Sequence, residues 1–77
     1  MFAAYVLIDL SVEVDFPDAL TAIRAIPGVK QAHLAVGPND CIAFIESGSQ
    51  QEAMQLIQAI REVAGVTRTD TRFVAEM

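Results

Sequence analysis

Apolar residues recur at helical spacing in two segments of the chain. In the first segment the apolar positions are Phe16, Leu20, Ile23 and Ile26. Asp15 is a candidate N-cap, and Pro17 suits the first turn, where a helix needs no backbone N–H. Pro27-Gly28 then ends the pattern. The spacing therefore predicts an amphipathic helix that starts after Asp15 and stops before Pro27.

A second amphipathic helix is predicted after Ser49. The run from Ser49 to Glu52 has the S-x-x-E form of a capping box, and Gly65 supplies a C-terminal stop. The apolar positions of its buried stripe are Ala53, Leu56, Ile57, Ile60 and Val63. Both helices are thus expected to lie on a sheet through one apolar side.

Four strands are predicted, over residues 2–10, 30–36, 41–46 and 67–75, so the element order is βαββαβ. With right-handed crossovers, this order leads to an antiparallel sheet of spatial order 4-1-3-2 with both helices on one face. We therefore predict a ferredoxin-like α+β sandwich, formed by one domain over residues 1–77.

An internal repeat supports this organisation. When the sequence is shifted by 37 residues, Ala22-Ile23-Arg24 falls on Ala59-Ile60-Arg61, and Gly28-Val29 falls on Gly65-Val66. Each half then contains a strand, a helix and a second strand in the same order.

The two central strands are apolar on both sides. One set of alternating residues is Tyr5, Leu7, Ile42 and Phe44, and the other is Val6, Ile8, Ala43 and Ile45. Helices cover only one face of such a sheet, so the other face needs a further cover. A second copy of the chain is the simplest cover, and either set of residues is a candidate for the contact.

Composition agrees with an assembling domain. Of the 77 residues, 53% are apolar and 19% are charged, whereas soluble domains have about 25% charged residues. A chain this short buries too little surface for a very stable monomer. Its net charge of -5 also argues against direct binding of nucleic acid or of an anionic membrane.

Cysteine and histidine are too few for a covalent or metal framework. With Cys41 as the single cysteine and His33 as the single histidine, the chain has no internal disulfide and no self-contained zinc site. We expect no metal, no other cofactor and a cytoplasmic location. The apolar start, Met1 to Ile8, lacks a basic region and is too short to span a bilayer, so it is predicted to be a strand.

Four runs of residues carry a family resemblance. They are Ala4-Tyr5-Val6-Leu7-Ile8, Ile26-Pro27-Gly28-Val29-Lys30, Val36-Gly37-Pro38-Asn39-Asp40 and Gly65-Val66-Thr67-Arg68-Thr69-Asp70-Thr71. Together they resemble the ligand-binding domain of Lrp/AsnC-type feast/famine regulators. That domain follows a DNA-binding helix-turn-helix in the family, and these residues include no such segment, so the chain resembles the stand-alone form.

The resemblance implies a homodimer through the open sheet faces, with dimers assembling into larger rings that bind small amino acids between them. Full-length Lrp/AsnC-type regulators are further partners that it implies. The family's G-x-x-D element matches Gly37 and Asp40, and its T-x-T element matches Thr69 and Thr71. The residue after the aspartate is often aromatic in the family, and here it is Cys41.

The chemistry of these four positions suits a zwitterion. A free amino acid needs a carboxylate for its ammonium group and N–H donors for its own carboxylate. Asp40, if it is unpaired, offers the first and the Gly37 loop offers the second. Thr69 and Thr71 lie on one side of an edge strand, so their hydroxyls complete the site from across an interface.

Simpler interpretations of the same residues stay open. Gly37 and Asp40 are common in hairpin connections, and Thr69 and Thr71 are common in edge strands. An oligomerisation module without a ligand therefore remains an alternative. So does an ACT-like amino-acid sensor, although residues 11–18 lack the glycine usual in its first loop.

An enzyme of the dimeric α+β barrel type is a further alternative. The only candidate groups for it are His33, Asp70 and Tyr5, and they have no legible catalytic spacing, so we predict that the chain is not an enzyme. His33 is instead predicted to be a half-buried sheet residue and Cys41 a small core residue. Arg68 and Arg72 alternate with the threonines around Asp70 and are predicted to be solvated or to form cross-strand charge pairs.

Overall fold

The computed structural model describes residues 1–75, which form one four-stranded antiparallel sheet and two helices. The elements in chain order are β1 (Phe2–Leu10), α1 (Phe16–Arg24), β2 (Val29–Leu34), β3 (Cys41–Ser47), α2 (Gln50–Arg61) and β4 (Val66–Phe73). The spatial order is β2-β3-β1-β4, which confirms the predicted ferredoxin-like order. No helix within residues 1–75 is long and apolar enough to cross a membrane.

Two strands end earlier than predicted. β2 stops at Leu34 rather than at residue 36, because the Ala35 N–H donates to the Asp40 carbonyl oxygen over 2.9 Å and closes the turn. β4 stops at Phe73 rather than at residue 75, after which only the Val74 N–H still bonds to β1, at the Ala3 carbonyl.

Both helices begin at the predicted caps. Asp15 Oδ1 accepts a hydrogen bond from the Asp18 N–H over 3.0 Å, and Ser49 Oγ accepts one from the Glu52 N–H over 3.1 Å. The Glu52 carboxylate in turn accepts from the Gly48 N–H over 3.3 Å. The capping box is therefore formed, with its return bond one residue before the cap.

The repeat of 37 residues corresponds to two similar helix-to-strand turns. Gly28 follows α1 with φ +99°, and Gly65 follows α2 with φ +92°. A Cβ atom at Gly28 would lie 2.6 Å from Leu56, and one at Gly65 would lie 2.5 Å from Val14. Only glycine combines that backbone conformation with such close approach. Each turn also accepts a hydrogen bond from the other half, since Glu46 N bonds to Gly28 O and Ser11 N to Gly65 O.

The structure decides which side of the sheet is covered. The helix face is packed against α1 and α2, and its central residues are no more than 1% exposed: Val6, Ile8, Ala43 and Ile45. The open face is the other side, and its central residues are Tyr5, Leu7, Ile42 and Phe44. Tyr5 is 50% exposed and Ile42 36% exposed. A broad apolar surface therefore remains uncovered in the single chain.

The predicted burial of Cys41 is confirmed by the structure, and that of His33 is not. Cys41 lies fully buried on the helix face, which confirms a small core residue. Burial raises the pKa of its thiol, although the charge of Arg24 opposes that effect. The prediction for His33 was wrong, because this residue is exposed. It pairs with Ile42 on the open face of edge strand β2, where nothing within the described chain covers it.

Candidate functional site

Asp40 ties the connection between β2 and β3 to the end of β1. Its N–H donates to the Ile8 carbonyl over 3.0 Å, and its Oδ2 accepts from the Leu10 N–H over 2.8 Å. Residues two apart on a strand direct their backbone groups to the same neighbour. Because β3 begins only at Cys41, the Asp40 side chain supplies the acceptor for the Leu10 N–H on the β3 side, while Leu10 pairs with Val66 on the β4 side.

The expectation of an unpaired Asp40 carboxylate is therefore wrong. One of its oxygens is engaged in the fold through a residue 30 positions away. Within residues 1–75, Asp40 Oδ1 has no hydrogen-bond partner, and the side chain is only partly buried. A carboxylate accepts several hydrogen bonds at once, so the remaining oxygen is chemically able to accept from an ammonium group.

Asp9 is a second carboxylate at this end of the sheet, and sequence reasoning did not select it. Its Oδ1 accepts from Asn39 Nδ2 over 2.9 Å, and its backbone carbonyl accepts from Thr67 Oγ1 over 3.2 Å. Asn39 belongs to the same G-x-x-D run as Asp40. The only sequence signal for Asp9 was its position, where the apolar run of β1 meets its first charge.

Gly37 lies at the exposed tip of the connection between β2 and β3. It adopts φ +153°, and a Cβ atom built on it would meet nothing within 4 Å. Packing within the chain thus places no demand on this glycine. The bond between Ala35 and Asp40 closes the connection at its base, so Gly37 and Asp40 belong to one compact loop, as predicted.

Thr69 and Thr71 lie together on β4, which is an edge strand as expected. They pair with Ile8 and Val6, so they belong to the helix face of the sheet. Both are half-buried, and neither hydroxyl has a hydrogen-bond partner within the described residues. Two hydroxyls on this edge are therefore available to a group that approaches from outside.

The structure does not bring the loop and the threonines together in one chain. Ile8 of β1 pairs with Cys41 on one side and with Thr69 on the other. Since neighbouring strands are about 4.8 Å apart, the backbones of Thr69 and Cys41 are separated by about 10 Å, with β1 between them. The loop and the two threonines therefore lie on opposite sides of β1 in the single chain.

The charge pair on β4 forms along the strand rather than across to a neighbouring strand. Arg72 Nη2 lies 2.9 Å from Asp70 Oδ2, and both side chains are well exposed. The hydrogen bond from Arg72, aided by its charge and that of Arg68, holds the pKa of Asp70 below its usual value. These three residues alternate with the threonines and lie toward the open face.

The candidate catalytic groups do not meet. His33, Ile42, Leu7 and Asp70 form one row across the four strands. His33 and Asp70 stand at opposite ends of that row, so about 14 Å separates their backbones. Among the described residues, neither the His33 nor the Tyr5 side chain makes a hydrogen bond or salt bridge.

Comparison with known proteins gives one family match and several similar solved structures. Residues 3–77 match the model of the Lrp/AsnC ligand binding domain. A comparison with curated proteins gave no match. Among solved structures, TTHA0845 from Thermus thermophilus is similar over 100% of this chain and 96% of its own, with 27% identity and a TM-score of 0.90.

Two longer proteins share the same fold. Escherichia coli AsnC aligns over 99% of this chain with 23% identity and a TM-score of 0.83. A feast or famine regulatory protein from M. tuberculosis, complexed with L-methionine, aligns over 100% of this chain with 22% identity and a TM-score of 0.84. In both comparisons this chain spans 52% of the other protein.

Proposed function

We propose that this chain, which belongs to the Lrp/AsnC ligand-binding domain family, is a regulatory module that binds a small amino acid as a homo-oligomer. The observation that carries the proposal is the family match over residues 3–77. The methionine complex of the M. tuberculosis relative supports an amino acid as the effector class. The module acts in the cytoplasm, by itself or assembled with full-length Lrp/AsnC-type transcription regulators.

The proposed dimer forms through the open face. One continuous apolar surface is formed by its central residues, Tyr5, Leu7, Ile42 and Phe44. The ring centroids of Tyr5 and Phe44 are 5.0 Å apart. A surface of this kind on a small chain is stabilised when a second copy removes it from water. Packing of the two open faces buries each on its equivalent, as a two-fold axis requires.

The proposed effector site lies between copies in the larger assembly. Asp40 Oδ1 of one copy accepts from the ammonium group, while backbone N–H groups of the loop around Gly37 bind the α-carboxylate. Thr69 and Thr71 of a neighbouring copy complete the site with hydroxyls that have no hydrogen-bond partner within residues 1–75 of their own chain. Effector binding is then coupled to assembly, because the effector contacts two subunits at once.

One observation favours a second candidate function, an oligomerisation module without a ligand. The bond from Leu10 N–H to Asp40 Oδ2 gives this aspartate a structural purpose that needs no effector. The two candidates differ in what they predict for a ligand screen, since only an effector-binding module gains stability from an added amino acid.

A thermal-shift screen against the proteinogenic amino acids, followed by calorimetry, tests the proposal. Asp40→Asn keeps an oxygen that accepts from Leu10 N–H but removes the negative charge. We expect it to weaken effector binding on the order of tenfold to a hundredfold without changing the oligomer. Asp18→Asn, an exposed change on α1, is the matched control and should bind normally. A screen without any shift would favour the ligand-free module.

A further inference from the structure

A small hollow lies between the end of α2 and edge strand β4. It has a volume of about 180 Å³, and its lining residues are Arg61, Val66, Thr67, Arg68 and Thr69. Arg61 is the last residue of α2, and Thr69 belongs to the helix face of β4. The hollow therefore adjoins one half of the proposed effector site, on the side that Thr69 occupies.

The hollow is rich in hydrogen-bond donors. Two of the five basic residues of a chain with ten acidic residues line it. Arg68 belongs to the open-face side of β4, so Arg61 is the basic side chain on the side of Thr69. In the part of the chain that the structure describes, the exposed guanidinium group of Arg61 makes neither a salt bridge nor a hydrogen bond. Among residues 1–75, no carboxylate lines the hollow. Asp9 lies opposite Arg68 on β1, but its Oδ1 accepts from Asn39.

These donors define the ligand group that the hollow suits. Guanidinium groups are always charged at neutral pH and donate to planar oxygen acceptors in pairs. The Thr69 hydroxyl adds a further donor. A carboxylate fits this arrangement, whereas an apolar group would remove several donors from water without giving them an acceptor, which is unfavourable.

We propose that the effector is an acidic amino acid, aspartate or glutamate, and that its side-chain carboxylate is bound by Arg61 and Thr69. This inference rests on the proposed function. In that site, Asp40 and the Gly37 loop of a neighbouring copy bind the α-ammonium and α-carboxylate groups. The side chain then extends toward the hollow between β4 and the end of α2, where Arg61 lies.

Calorimetry with matched ligand pairs tests the inference. L-glutamate and L-aspartate are compared with L-glutamine, L-asparagine and L-methionine at constant ionic strength. The first two differ from their amides mainly by one negative charge, so shape is controlled. We expect one of the acids to bind at least about tenfold more tightly than its amide, as a charge-assisted hydrogen bond to a guanidinium implies.

Variants identify the residue responsible. Arg61→Gln should weaken binding of the acid about tenfold to a hundredfold and leave binding of the amide nearly unchanged. Arg61→Lys keeps the charge and should retain part of the preference. Lys30→Gln makes the same charge change on β2, at the opposite edge of the sheet. This control should retain the full preference for the acid over its amide. Light scattering on each variant reports whether assembly is intact.

The outcomes separate the inference from the function on which it rests. If glutamine, asparagine or methionine binds as tightly as the acids, the acidic class is wrong and the effector-binding function stands. If an acid is preferred but Arg61→Gln keeps that preference with an intact oligomer, the assignment to this hollow is wrong. If none of the five amino acids binds and the wider screen is also negative, the proposed function fails and the inference fails with it.

Discussion

The helix face and the open face of the sheet are built from alternate residues of the same strands, yet they differ in side-chain size. On the helix face, alanines stand between the isoleucines: Ala4, Ala32 and Ala43. On the open face, the aromatic rings of Tyr5 and Phe44 lie side by side in neighbouring strands. Small residues let a helix approach the sheet closely, whereas large flat residues suit packing against another sheet.

The comparison teaches that one apolar pattern can serve two separate purposes. Residues of the helix face are fully buried in the single chain, so they stabilise the fold itself. Residues of the open face stay partly exposed, so burying them depends on a partner. Substitutions on the first face should therefore change unfolding, and those on the second should change assembly. The following predictions test this division, from the largest expected effect to the smallest.

Ile8→Ala should have the largest effect on stability. Ile8 is 0% exposed on the helix face, and its truncation leaves a cavity beneath the helices. We expect a loss of about 2 to 5 kcal/mol in the free energy of unfolding, measured by urea denaturation. Leu7→Ala, one residue away on the open face, is the control. We expect it to lower the free energy of unfolding of the monomer clearly less. Equal losses from the two variants would contradict the division between faces.

Ile42→Lys should break the proposed dimer while leaving the fold intact. The side chain is 36% exposed in the single chain, so lysine is tolerated there, but in a sheet-to-sheet contact it buries an unpaired charge. We expect dissociation to be favoured by about a hundredfold or more, as light scattering would reveal, with an unchanged circular dichroism spectrum. Val12→Lys, at a position 94% exposed, should remain assembled. A variant that unfolds instead would mean that the open face supports the monomer.

Gly65→Ala should destabilise the fold at the turn between α2 and β4. The φ of +92° strains any residue with a Cβ, and that atom would lie 2.5 Å from Val14. We expect a loss of about 1 to 3 kcal/mol in stability, again by urea denaturation. At Gly48 the nearest atom to a new Cβ is a Glu52 carboxylate oxygen at 3.7 Å, so Gly48→Ala should be nearly neutral. Similar losses of stability in Gly65→Ala and Gly48→Ala would contradict a specific requirement for glycine at position 65.

The Asp70–Arg72 pair, on the open side of β4, should contribute least. Arg72 lowers the pKa of Asp70 in the folded chain, so the pair stabilises the fold at neutral pH. That contribution is lost as the pH falls below the usual aspartate pKa and through the lowered one. Because the pair is exposed, solvent screens it strongly. An NMR titration should show the pKa of Asp70 rising toward its usual value in Arg72→Gln, with almost no change in unfolding. An unchanged pKa would mean that the pair does not persist in solution.

Most of the fold could be predicted because its signals are local. Capping by Asp15 and Ser49 involves residues three positions apart, and the turns at Gly28 and Gly65 follow from the end of each helical pattern. The candidate site was harder. The sequence predicted the loop of Gly37 and the edge strand of Thr69 as site elements, and it did not single out Asp9 or the proposed Arg61. Their positions become informative only when strands and helices from distant parts of the chain are neighbours.

By itself the sequence determined the six elements, their order and the presence of two apolar sets in the central strands. Periodicity, caps and glycines act over a few residues, so these features can be read without tertiary structure. Only the tertiary structure decided which set receives the helices, since both sets of alternating residues are apolar and the pattern does not distinguish them. It also decided that Asp40 bonds to Leu10 and that β1 separates Asp40 from Thr69. These facts depend on contacts between residues about 30 or more positions apart, and no local pattern encodes them.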